Sequence, residues 1–344
     1  MNSPFVPERT VDGSVCLNDY VQSLSWAPDG TRLAAAQSTG PVAVIDTAAA
    51  RIQQTWPGHE GGTFAAAFSP IAPVAASVGQ DGSVRLWTPE ASEPLCVVPA
   101  GSSWVEQLAW APDGSGLAAA AGRTVTVLQP DGSLRLQLPP RRSTVTALAW
   151  SADSQKLAAA SYGEVQRWDA VSGAPEDPLV WKTSLISLAW SPDQRWMVAG
   201  TQEQSIQIWE LPFRPEGELA MSGYAAKVRE LAWHHGSRFL ATGGSADVTV
   251  WDCGGAGPAG TTPRILEGHQ GRITTLAYQR AGHLLASGSE DRAVMLWNPG
   301  KSSAPFRRYR FAAPVVHVSW SHDGTRLAVA CQDGTVAWAS AGRL

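Results

Sequence analysis

A short strand-like run ending in an aromatic residue recurs eight times along the chain, and this internal period governs what the chain can fold into. The run reads VQSLSW at Trp26, TFAAAF at Phe68, VEQLAW at Trp110 and VTALAW at Trp150. It continues as ISLAW at Trp190, VRELAW at Trp233, ITTLAY at Tyr278 and VHVSW at Trp320. Successive anchors lie 42, 42, 40, 40, 43, 45 and 42 residues apart. We number the repeats 1 to 8 by these anchors. A second series follows each anchor by 18 or 19 residues: Ile45, Trp87, Leu128, Trp168, Trp209, Trp251, Trp297 and Trp338.

Between the two series lie short apolar stretches such as RLAAAQ, LLASGSE and RLAVACQ. All these segments are brief, β-branched or aromatic at key places, and bounded by Pro-Asp-Gly or Asp-Gly. That is the pattern of short antiparallel strands joined by tight hairpins. No stretch of helical length shows a 3.6-residue period. Each repeat is therefore an antiparallel sheet of about four strands, too small to stand alone. Packing such sheets radially around an axis buries both faces of each one.

Repeat 2 carries Gly58-His59, Ser77, Asp81 and Trp87, and repeat 7 carries Gly268-His269, Ser287, Asp291 and Trp297. In both, His to Ser is 18 residues and Asp to Trp is 6. With these motifs the chain resembles the WD-repeat β-propeller family, over about 330 of its 344 residues. The resemblance implies an all-β closed β-propeller. It also implies that each quartet, His59, Ser77, Asp81, Trp87 and His269, Ser287, Asp291, Trp297, forms a hydrogen-bonded chain inside its blade. A buried polar network of this kind fixes a blade because every member gains a partner. The other six repeats depart from the pattern. Trp181 and Tyr224 stand where His is expected, Thr39, Tyr162, Glu203 and Ser245 near the Asp position, and Ile45 and Leu128 in place of Trp. These repeats are expected to rely on apolar packing.

Eight anchors imply eight blades of four antiparallel strands, with seven, the family's commonest number, as the alternative. Only six residues follow Trp338, too few for a last outer strand. Residues 5–17 are expected to supply that strand and so remove an open sheet edge, leaving 18–344 as the repeats of one domain spanning 1–344.

The net charge of −4 and a pI near 6.0 give no global field for nucleic acid. Cys16, Cys96, Cys253 and Cys331 lie far apart, with neither CxxC spacing nor a disulfide framework, which fits a reducing compartment. The N-terminal residues lack a basic start followed by an apolar run, and no stretch of about 18 apolar residues occurs. The expectation is a soluble, cytoplasmic protein with no membrane association.

Catalysis would need a convergent cluster of titratable groups. His59 and His269 hold the structural position. His234, His235 and His322 fall in hairpin turns, and two adjacent histidines do not make a metal site alone. No HExxH, GxSxG, glycine-rich phosphate loop or EF-hand pattern is present. Catalytic residues, cofactors and metals are thus expected to be none. Twelve of the 16 tryptophans end strands and read as core; Trp56, Trp104, Trp181 and Trp196 fall outside both series.

The resemblance further implies partner binding on the face around the central channel, at positions six and four before each anchor. The first set is Tyr20, Gly62, Trp104, Thr144, Ser184, Lys227, Arg272 and Pro314, and the second is Gln22, Phe64, Glu106, Thr146, Ile186, Arg229, Thr274 and Val316. Aromatic and arginine side chains dominate interface energetics. Tyr20, Phe64, Trp104, Glu106, Lys227, Arg229 and Arg272 are therefore the candidate partner-binding residues, facing a segment that carries an acidic group and an apolar side chain. Arg307, Arg308 and Arg310 alternate along an outer strand, as edge protection or as a basic contact site. The function expected is a protein–protein interaction scaffold, a monomeric propeller within a larger complex. The alternative is an enzyme or small-ligand binder with its site in the channel, where Glu106 and Glu290 are the available carboxylates.

Overall fold

A computed structural model describes residues 8–101, 104–214 and 218–341, and within them every regular element is a β-strand. The turns explain why. In APDG and its variants the Asp carboxylate accepts the backbone N–H two residues on, Asp29 from Thr31 at 2.8 Å, Asp113 from Ser115 at 2.9 Å and Asp323 from Thr325 at 3.0 Å. This closes a local turn and reverses the chain. The next residue takes a left-handed conformation, Gly30 in repeat 1 at φ 67°.

Each repeat then meanders outward. In repeat 1 the innermost strand Val21–Trp26 pairs with Arg32–Gln37, that with Val42–Asp46, and that with Arg51–Trp56, all antiparallel. The second strands are alanine-rich and fully enclosed, as at Ala34, Ala35 and Ala36. Small side chains there let neighbouring sheets approach, while Trp87, Trp168, Trp209 and Trp297 fill the wider space further out, each at most 1% exposed.

Hydrogen bonding divides the strands into seven sheets, six of four strands and one of six. The expectation of eight blades is corrected to its alternative of seven, because repeats 4 and 5 share the six-stranded sheet. The reason is local. The strand Leu179–Trp190 runs without a break from the outer edge of repeat 4 to the innermost position of repeat 5. Its beginning pairs Leu179 with Val165 and Val180 with Glu164, while its end pairs Leu185–Trp190 with Met197–Thr201.

The innermost strands follow one another around the axis. Val21–Trp26, Thr63–Phe68, Val105–Trp110, Ala147–Trp150, Leu179–Trp190, Leu231–Trp233, Ile273–Tyr278 and Val315–Trp320 each contact the next, and the last contacts the first. Several anchors tie these neighbours by an indole hydrogen bond. Trp110 Nε1 donates to the Ala67 carbonyl and Trp150 Nε1 to Ala109, both at 3.0 Å. Trp320 donates to Ala277 at 2.9 Å, and Trp26 to Ser319 at 2.9 Å.

Gly13–Cys16 pairs antiparallel with Thr335–Ser340, Gly13 opposite Trp338 and Cys16 opposite Thr335. The N-terminal segment thereby becomes the fourth strand of the sheet built by repeat 8. Residues 5–7 of the expected closing strand lie outside the described residues. Gly13 is required by the close approach, since a Cβ there would lie 2.5 Å from the Trp338 ring. Asp12 adds a side-chain clasp, accepting from the Ser340 backbone N–H at 2.7 Å and hydroxyl at 2.6 Å.

Candidate functional site: the channel mouth

Two side-chain networks lie inside the sheets of repeats 2 and 7. His59 bridges Asp81 through Nδ1 and Ser77 through Nε2, each at 2.8 Å, and Trp87 Nε1 donates to the same Ser77 hydroxyl at 2.8 Å. In repeat 7, His269 lies 3.0 Å from Asp291 and 2.8 Å from Ser287, and Trp297 donates to Ser287 at 2.8 Å. Burial would raise both carboxyls, yet the hydrogen bonds from the histidines and neighbouring donors hold Asp81 and Asp291 down at about 2. Burial pushes His59 below its ordinary value, more than Asp81 draws it up.

Repeat 6 departs from the expectation that the remaining repeats rely on apolar packing. Tyr224, standing at the His position, places its hydroxyl 2.9 Å from Thr242 Oγ1 and accepts the Trp251 indole N–H at 2.9 Å. A phenol thus performs the bridging of an imidazole. Repeat 5 conforms to the expectation: the buried indole nitrogens of Trp181 and Trp209 have no hydrogen-bond partner, and Ala199 stands where repeats 2 and 7 have serine.

At the mouth of the axial channel, the structure gathers four of the seven candidate residues into one cavity of about 780 Å³. Tyr20, Lys227, Arg229 and Arg272 line it, with Gln22, Thr274, Val316, Glu230 and His317. Lys227, Arg229 and Arg272 are exposed. Arg272 is braced by Glu290, with Nε at 3.1 Å and Nη2 at 2.9 Å from one carboxylate oxygen. Lys227 and Arg229 make no ion pair among the described residues. Burial holds the Glu230 carboxyl above its usual range, against the pull of Arg272 and Arg229. Burial likewise depresses His317, and the exposed cations of this wall are Lys227, Arg229 and Arg272.

Phe64, Trp104 and Glu106 do not line that cavity. Phe64 and Trp104 form their own pair on repeats 2 and 3, ring centroids 5.7 Å apart and tilted by 46°, with Trp104 54% exposed. Glu106 is exposed beside them. The candidate residues therefore fall into a cationic cavity and a separate aromatic platform. Glu230 and His317 were not singled out from the sequence. Both sit three residues before their anchors, a position whose polar character in repeats 6 and 8 was the available signal.

The arginines of the outer strand in repeat 7 are engaged. Arg310 Nε donates to Glu8 at 2.9 Å, Arg308 lies 4.0 Å from Asp291, and Arg307 donates to the Ala341 carbonyl. The four cysteines are unpaired, with Cys253 and Cys331 buried. No helix of the described residues is long and apolar enough to cross a membrane.

Known proteins agree with this architecture. The structure resembles the crystal structure of a computationally designed protein, Ika8, with a TM-score of 0.80 at 20% identity, covering 94% of this chain and 97% of that one, a likeness in fold alone. The chain is 28% identical over 167 residues to Protein HIR1 of Cryptococcus neoformans, 42% of this chain and 18% of that protein. It is 27% identical over 144 residues to "Cell division cycle 20.1, cofactor of APC complex" of Arabidopsis thaliana, 41% of this chain and 30% of that protein. The chain thus spans a minor part of the curated relatives it matches. The family model "WD domain, G-beta repeat" matches residues 50–88, 132–169, 180–210, 217–252, 260–298 and 306–337. These matches cover more than half of the sequence, and the chain belongs to the WD-repeat family.

Proposed function

We propose that this chain is a protein–protein interaction scaffold that docks an acidic segment of a partner at the channel mouth, beside an apolar side chain that rests on the Phe64–Trp104 pair. The observation that carries the reading is the cavity shared by Tyr20, Lys227, Arg229 and Arg272, with two of its cations unpaired among the described residues. Unpaired exposed cations at a concave site attract a carboxylate, and the exposed Trp104 on its separate platform offers an anchor worth about 2 kcal/mol or more once a partner covers it. The naming of one relative as a cofactor of a complex supports a role in assembly.

In this reading the seven sheets act as one domain of residues 1–344, with repeats 4 and 5 joined in the six-stranded sheet. The pairing of Gly13–Cys16 with Thr335–Ser340 supports its closure by the N-terminal segment, and 18–344 carry the repeats. The chain acts as a monomeric, cytoplasmic, non-enzymatic propeller within a larger complex, without nucleic acid, membrane or cofactor. The net charge of −4 and the scattered thiols support this.

The test is capture of partners from an extract, compared across variants. Lys227→Glu combined with Arg229→Glu should lose proteins that wild type retains, while Arg142→Glu, away from the cavity, should keep them. An identical captured set for both variants would refute the docking site. A second reading has one observation behind it. The opposite end of the channel holds a cavity of about 700 Å³ walled by Trp26, Trp110 and Trp320 with Arg280 and His322. His322 Nδ1 is buried there without a partner, which would suit a small anionic ligand.

A further inference from the structure

The turn after Trp233 and the turn after Tyr278 lie side by side and bring three imidazoles together. One nitrogen from each of His234, His235 and His283 lies within 4.8 Å of the other two. His234 Nε2 is 2.9 Å from His283 Nδ1, and these rings stack with centroids 5.2 Å apart. The His235 ring centroid lies 4.3 Å from that of His234 and 5.5 Å from that of His283. The two adjacent histidines set aside from sequence thus acquire a third from the next repeat, 49 positions away from His234.

We propose that His234, His235 and His283 bind one divalent transition-metal ion of the zinc, nickel or copper class, which staples repeat 6 to repeat 7. Imidazole suits these ions, and three histidines with one open position form a recognised coordination type. Metal–nitrogen bonds of about 2.0–2.1 Å in tetrahedral geometry place ligand nitrogens about 3.3–3.4 Å apart. The closest pair has only to open slightly to reach that spacing. His235 and His283 are exposed, so their rings can turn to do so.

Two further observations point to the same place. First, this boundary lacks the indole tie found elsewhere: Tyr278 replaces the anchoring tryptophan, and its buried hydroxyl has no partner. Second, Tyr278, His234 and His283 line a cavity of about 400 Å³ between the two repeats. Arg238, in the same cavity wall, is neutralised by Asp252, its Nη2 2.9 Å from the carboxylate.

Ligation has one local cost. His234 Nδ1 accepts the Gly236 N–H at 3.0 Å, which keeps the ring proton on Nε2. Binding through Nε2 moves that proton to Nδ1 and releases the Gly236 N–H, which is exposed and can be hydrated. One exchanged hydrogen bond is small beside three metal–nitrogen bonds.

The test uses the full chain stripped with a chelator, then given one equivalent of Co²⁺ or Zn²⁺. Co²⁺ should produce a visible absorption band, and Zn²⁺ should raise the Tm. His235→Ala and His283→Ala, both at exposed positions, should each weaken binding more than about tenfold, the cost of losing even an outer partner of a metal site. Arg142→Ala, outside the cluster, should bind as wild type does. An absent Co²⁺ band with an unchanged Tm, or equal binding by wild type and both variants, would overturn the proposal.

Discussion

The indole Nε1 of Trp26 donates to the Ser319 carbonyl at 2.9 Å, joining the first repeat to the eighth across 293 positions of sequence. The same bond at Trp110, Trp150 and Trp320 links neighbours along the chain. At Trp26 it links the beginning of the ring to its end. Trp233 is the contrasting case, an anchor whose buried indole nitrogen has no partner. Trp26→Phe should cost about 0.5–1.5 kcal/mol more than Trp233→Phe, the net worth of one hydrogen bond, in denaturant unfolding. Equal losses would mean that the tie contributes nothing.

The Ser77 hydroxyl serves two buried groups at once, His59 and Trp87. Ser77→Ala leaves both without that partner and should destabilise by about 1–3 kcal/mol. Ser287→Ala should do the same in repeat 7, where the geometry repeats. Equilibrium unfolding midpoints check both, and a change under about 0.5 kcal/mol would remove the networks from the account of stability.

Tyr224→Phe removes a hydroxyl that contacts Thr242 and Trp251 while keeping the ring. Orphaning the Trp251 indole should cost about 1–3 kcal/mol. Tyr278→Phe removes a buried hydroxyl with no partner and should be neutral or stabilising in the metal-free protein. A Tyr224→Phe protein as stable as wild type would reduce Tyr224 to a packing residue.

Stability should fall in two stages on acidification. His59 and His317 are depressed below 6.5 by burial, and His234 reaches about 4. A histidine with a lowered folded pKa binds fewer protons than its unfolded counterpart, so stability drops as pH falls from 6.5 toward 4. Asp81 and Asp291 stand at about 2 against an ordinary 3.8. Their stabilisation is full above 3.8 and is lost between 3.8 and 2. Tm measured in small pH steps should decline across both windows. A flat Tm from pH 6.5 to 4 would contradict the burial of neutral histidines.

The period of the anchors made the radial sheet architecture legible, because a repeat of about 42 residues with one large aromatic per innermost strand has few ways to bury itself. The His-Ser-Asp-Trp spacing likewise carried the two networks. The shared sheet of repeats 4 and 5 was harder to read. Spacing does not mark it, since the 40-residue step from Trp150 to Trp190 equals that from Trp110 to Trp150, whose sheets are separate. Tyr224 was visible as a departure, but only geometry shows a phenol hydroxyl reaching the tryptophan. Positions six and four before each anchor are equivalent in sequence, yet the ring holds Phe64 and Trp104 apart from Lys227, Arg229 and Arg272. Distance around an axis is not written in a repeat. His283 joined His234 for the opposite reason, since adjacent repeats place their turns side by side.

Closure of the ring by the N-terminal strand is the claim on which the rigid mouth depends. Thermal unfolding of a variant lacking residues 1–17, set beside the point variant Gly13→Val, tests it most directly. Removing the strand that pairs with Thr335–Ser340, or forcing a side chain against Trp338, should lower the Tm clearly in both. A truncated chain that melts at the wild-type temperature would contradict the closed propeller described here.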